Sequence, residues 1–224
     1  MRIQDLGTYA RASGRFLVDE HGFDFTRRRY TRSDGLLRSV WFLPLNATPD
    51  RYLFEVVFDV GIPGISEFGA RKQAYVVRAN APKTALAHPD YPKPPFVLTA
   101  DDDGRPVAPM VDQVVRRLAG DFLLRYRTPA EFYEMVRDSA VRAADQGAHS
   151  DDDFGRLRLD PGNAVMRLEL SAVYGAFLGR DDEVAETLAL VRAYAPPNRV
   201  DYMIPVVEAG VEAARKARAE APPA

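Results

Sequence analysis

The stretch Tyr52-Leu53-Phe54-Glu55-Val56-Val57-Phe58-Asp59-Val60 alternates with a period of two, with Tyr52, Phe54, Val56, Phe58 and Val60 on one side and Leu53, Glu55, Val57 and Asp59 on the other. Successive side chains of an extended chain point to opposite faces, so this is a β-strand with one apolar face. Upstream, Phe23 to Arg32 and Leu36 to Leu43 read as two more strands. Ser33-Asp34-Gly35 lies between them, and Asp-Gly supplies the positive φ of a two-residue hairpin turn. An antiparallel meander follows. Downstream, Ala74 to Val77 and Phe96 to Leu98 read as short strands around a long ordered loop that carries Pro82, Pro89, Pro92, Pro94 and Pro95.

On either side of this region the apolar period changes to that of a helix. Ile3, Leu6, Tyr9, Phe16 and Leu17 predict an N-terminal helix over Ile3 to His21, weakened at Gly7 and Gly14 and stopped at Gly22. Val111, Val114, Val115, Leu118 and Phe122 form a second stripe. Thr128-Pro129-Ala130-Glu131 is a capping box that opens a third helix. Asp160-Pro161 opens an almost wholly apolar helix that ends at Gly179, and Asp181 or Asp182 caps the helix after it. A last helix runs from about Asp201. The fold class expected is α+β: an N-terminal helix, an antiparallel meander of three to five strands, and a C-terminal bundle of about five helices. The sheet region is expected over 1–105 and the helical region over 106–224, integrated as one domain.

A two-residue turn at Asp34-Gly35 pairs Arg28 with Trp41, Arg29 with Val40 and Tyr30 with Ser39. Tyr30, Leu37, Trp41, Leu43, Phe54, Val56 and Phe58 then form the core face. Arg27, Arg29, Arg38, Val40, Phe42, Glu55, Val57 and Asp59 form the opposite one. One reading of that second face is a solvated ladder in which Glu55 and Asp59 neutralise the arginines for a few tenths of a kcal/mol each. The other is a recognition face with Arg27, Arg29, Arg38, Phe42 and Glu55 as binding residues, since arginine beside aromatics is the composition of interface hot spots.

Composition narrows the chemistry. The chain has 224 residues, 46% hydrophobic, with a formal net charge of −2, enough for a core and too balanced to steer it toward nucleic acid or anionic lipid. Residues 23 to 38 carry five arginines against Asp24 and Asp34, too little local charge to expect nucleic acid. The absence of cysteine excludes disulfides, thiolate nucleophiles and cysteine-ligated metals. No Gly-x-Ser-x-Gly, His-Glu-x-x-His or Gly-x-Gly-x-x-Gly occurs, and the Asp101-Asp102-Asp103 and Asp151-Asp152-Asp153 runs lack the spacing of a calcium loop. No cofactor or metal is expected. No apolar run approaches the roughly 18 residues that span a membrane, and the start lacks a signal-peptide pattern, so the expected location is cytoplasmic. His88-Pro89-Asp90-Tyr91 is the one stretch that sets an imidazole beside a carboxylate.

The order of a helix, His21-Gly22-Phe23, an arginine-rich strand ending in Tyr30, Trp41-Phe42, and Phe54 through Ile62 resembles small bacterial families of unknown function. Their members open with a helix, a Gly-Phe turn and a three-stranded meander, and some lie beside secreted polymorphic toxins as immunity-like proteins. The resemblance covers roughly residues 1–80 and implies a fold tendency and an immunity- or adaptor-like role, but no catalytic residue. The expectation is therefore a protein that binds a protein partner, with no membrane or nucleic acid involved and with an exposed sheet edge through which a homodimer could form. The alternative is a small-molecule-binding protein or enzyme that uses His88, Asp90 and Tyr91, with Arg71 or Arg78 as an anion clamp.

Overall fold

A computed structural model describes residues 3–48, 51–65, 75–80, 96–99, 108–146, 154, 159, 163–194 and 200–221. The strands are β1 (Asp24–Thr26), β2 (Arg29–Ser33), β3 (Leu37–Thr48), β4 (Arg51–Gly61), β5 (Val76–Asn80) and β6 (Phe96–Thr99). The helices are α1 (Ile3–Ser13), α2 (Arg15–Asp19), α3 (Ala108–Leu118) followed by a π-helical turn at Ala119–Leu123, α4 (Pro129–Gln146), α5 (Ala164–Leu178), α6 (Asp181–Tyr194) and α7 (Val200–Glu220). The fold is α+β, with an antiparallel sheet in the order β1-β2-β3-β4-β5 and β6 also paired to β4. Among the described residues no helix is long and apolar enough to cross a membrane. The chain forms two compact units, Met1–Val60 with Arg78–Arg125 and Gly61–Val77 with Tyr126–Ala224.

In the first unit the expected single N-terminal helix is two. Gly14 separates α1 from α2 at φ -102 and ψ 11, outside the helical region, and a Cβ there would lie 2.4 Å from the Tyr30 ring. The ring fills that space, and its hydroxyl donates to the carbonyls of Ala10 at 2.6 Å and Arg11 at 3.1 Å. The expected first strand, Phe23 to Arg32, is also two: Thr26 pairs with Arg29 across a two-residue turn at Arg27-Arg28. Arg27 adopts φ 59, in the left-handed region that side chains with a Cβ rarely enter.

The β2–β3 register corrects the expected one. Arg29 pairs with Trp41, Tyr30 with Val40 and Thr31 with Ser39, because the loop holds three residues, Asp34, Gly35 and Leu36. Gly35 supplies the positive φ, but Leu36 is fully buried and belongs to the loop. One extra residue inverts a whole strand. Val40 and Phe42 therefore face the core, and Trp41 does not.

One aromatic from each of five strands joins a continuous row, in which Tyr30, Phe42, Phe54 and Phe96 are buried and Phe25 is partly exposed. Phe25 packs on Tyr30 at 4.6 Å between ring centroids, Tyr30 on Phe42 at 6.5 Å, Phe42 on Phe54 at 6.2 Å and Phe54 on Phe96 at 5.5 Å. Tyr9 of α1 meets Phe42 and Phe54 edge-on, the arrangement that the ring quadrupoles favour. Burial pushes the Tyr9 and Tyr30 hydroxyls well above the usual phenol range, so both stay neutral.

In the second unit α5 lies against α4, α6 and α7, the central position its apolar surface implies. Its N-cap is Asn163, whose side chain accepts from the Met166 N–H at 2.9 Å, and Gly179 closes it in the left-handed region at φ 78. The expected opening at Asp160-Pro161 lies outside the described residues. Arg167, 1% exposed, donates to Ser139 Oγ at 3.0 Å and stacks over Phe154. At α4 the Thr128 half of the expected capping box forms, with Thr128 Oγ1 accepting from the Glu131 N–H, while the Glu131 carboxylate accepts from the N–H of Arg127, one residue before the cap.

Candidate functional site

α1 and α2 bury one face, which includes Leu6, Ala10, Ser13, Phe16 and Leu17, and expose another that carries Thr8, Arg11, Ala12, Arg15, Val18 and Asp19. The exposed set recurs at three- and four-residue spacings, as one stripe of a helix must. It walls a groove of about 610 Å³ whose other side is Phe23, Asp24, Phe25 and Tyr30. Four interactions set the geometry. Tyr30 ties β2 to the carbonyls at the end of α1. Arg32 donates to the His21 carbonyl at 2.8 Å, which holds the exit of α2 against β2. The Arg11 guanidinium lies 5.1 Å from the centre of the Phe25 ring, within cation–π range. Arg15 pairs with Asp19 at 3.0 Å, both side chains exposed.

Chemically the groove has an aromatic floor, an apolar rim at the exposed Val18, Arg11, Arg15 and Asp19 on the helical wall and Asp24 on the other. Asp19 is engaged by Arg15. No carboxylate among the described residues pairs with Arg11, or with Arg27 at the hairpin tip. Among the described residues no cluster of three or more metal-ligating side chains occurs.

The expected binding residues separate. Arg27 is exposed at the hairpin turn. Arg29 stacks on Trp41, its guanidinium carbon 3.8 Å from the ring centre, and Trp41 Nε1 donates to Ser39 Oγ at 2.7 Å. Burial lowers the Arg29 pKa, opposed by the Asp59 carboxylate. Glu55 is half-buried on β4, and Asp59 further along that strand is forked by Arg78 at 2.7 and 3.0 Å. Arg38 and Phe42 do not share the exposed face on which they were expected, because the register places both on the buried one, at 2% and 1% exposure. Arg38 is a strut: its Nε donates to the Leu123 carbonyl at 2.8 Å and it pairs with Asp34. Burial, with Arg32 nearby, pulls its pKa down to about 10. His88, Asp90 and Tyr91 lie outside the described residues.

Sequence reasoning missed Arg11, Arg15, Val18 and Phe25. A signal existed, since the stripe of α1 and α2 that is not apolar is readable from spacing. The opposite wall was not readable, because nothing in Phe23 to Arg32 marks a turn at Arg27-Arg28. Compared with models of protein families, with curated proteins and with solved structures, the chain matches none.

Proposed function

We propose that the protein works by binding another protein, and that it does so at the groove between α1–α2 and β1. The observation that carries this reading is the pairing of an aromatic floor with Arg11, a cation that no described carboxylate neutralises, in an open groove of about 610 Å³. Aromatic rings and arginine together supply most of the energy of typical interfaces, through large apolar area and charge-assisted hydrogen bonds. The role is of the adaptor or immunity type that the resemblance over residues 1–80 implies, and its setting is the cytoplasm.

The test is affinity capture from a lysate of the source cells, comparing the wild type with the Arg11→Glu/Arg15→Glu double variant. Circular dichroism would confirm that both are folded. A stoichiometric polypeptide held by the wild type and lost from the variant is the expected result. A partner that the charge reversal leaves in place would put the interface elsewhere.

A further inference from the structure

The second wall of the groove is the edge of the sheet. Among the described strands β1 pairs with β2 alone. Hydrogen-bonding parity fixes which of its backbone groups are free. The Phe42 N–H donates to the Arg28 carbonyl at 3.0 Å, so Arg28 and Tyr30 turn their backbone toward β3 while Arg29 and Thr31 turn theirs toward β1. Thr26 and Asp24 are then the hydrogen-bonded partners of Arg29 and Thr31, and the N–H and C=O of Phe25 point outward, away from β2. The Phe25 ring shares the groove with Arg11, and Asp24 also lines it at the edge.

From this placement, and resting on the groove as the binding site, we infer that the partner enters as an extended segment that adds a strand to β1. It pairs its backbone with Phe25 and sets an aromatic between two acidic residues at alternate positions. Main-chain hydrogen bonds hold such a strand, and side chains at every second position read the groove. The residue opposite Phe25 sits over the aromatic floor, and its neighbours two positions away meet Arg11 and Arg15. Occupancy would also cover the open edge, which a solitary strand must otherwise protect.

The probe is a capped peptide, Thr-Glu-Thr-Phe-Thr-Glu-Thr, measured by calorimetry against its counterpart with lysine in place of glutamate. Each is also made N-methylated at single successive positions. The wild type should prefer the glutamate peptide at least tenfold, Arg11→Gln should abolish that preference and Arg11→Glu should invert it. N-methylation should weaken binding at the one residue whose N–H meets the Phe25 carbonyl and leave it unchanged elsewhere. If Arg11 controls the preference but no single N-methylation weakens binding, strand addition is wrong and the groove reading stands. If neither peptide binds, or if both Arg11 variants keep the wild-type preference, both are wrong.

Discussion

Arg27 holds a backbone conformation at φ 59 that glycine adopts freely and an L-residue adopts at a cost of about 1–2 kcal/mol. It is fully on the surface, so no packing requires its side chain. Arg27→Gly should therefore stabilise the fold by about 1 kcal/mol, less than the full conformational cost because glycine loses more chain entropy on folding. The urea midpoint should rise with the slope unchanged. A lower midpoint would mean that the Arg27 side chain supports the hairpin in a way its exposure hides. Gly14 is the complementary case, where the absence of a Cβ lets Tyr30 reach the helix carbonyls. Neither role could be read locally. A glycine in a helical pattern signals weakness, not the ring that will fill the gap, and Arg27-Arg28 contains none of the residues that mark a turn.

Elements whose character depends on their own period were legible: β4 from its strict alternation, α5 from its nearly continuous apolar surface and its Gly179 stop, and α4 from its capping box. β3 was legible as a strand but not in its orientation. Its two faces are almost equally apolar, Val40 and Phe42 against Leu37, Trp41 and Leu43, so composition could not choose between them. The loop chose, and the loop turned on whether Leu36 is buried, a tertiary fact that turn propensity does not contain. The register makes a prediction that the two-residue turn reverses. Phe42→Ala should cost about 3–5 kcal/mol in urea unfolding, as the loss of a buried ring does, and Trp41→Ala clearly less. Equal costs, or a larger one at Trp41, would restore the expected register and put the groove's second wall in question.

On the scale of the whole molecule, the class was legible and the candidate site was half legible. The α+β class follows from periods that change along the chain, and each period is a local property. The groove needs two segments at once: the exposed stripe of α1–α2, which spacing reveals, and the edge strand β1, which exists only because the chain reverses at two arginines. The arginine–aromatic composition of residues 23 to 42 pointed to recognition, but the core took Phe42 and Arg38 from that set. What remains faces two ways, Arg29 with Trp41 on the outer side of the sheet and Phe25 with Arg11 in the groove.

The central claim is that recognition occurs between α1–α2 and β1, and the most direct measurement is amide chemical-shift mapping of the labelled protein as the acidic aromatic peptide is added. The shifts expected are confined to Thr8 through Thr26 with Tyr30 and are largest at Phe25, with Arg29, Trp41 and the helices from α4 onward unmoved. Shifts centred on Trp41 and Arg29, or anywhere in α4 to α7, would contradict the account.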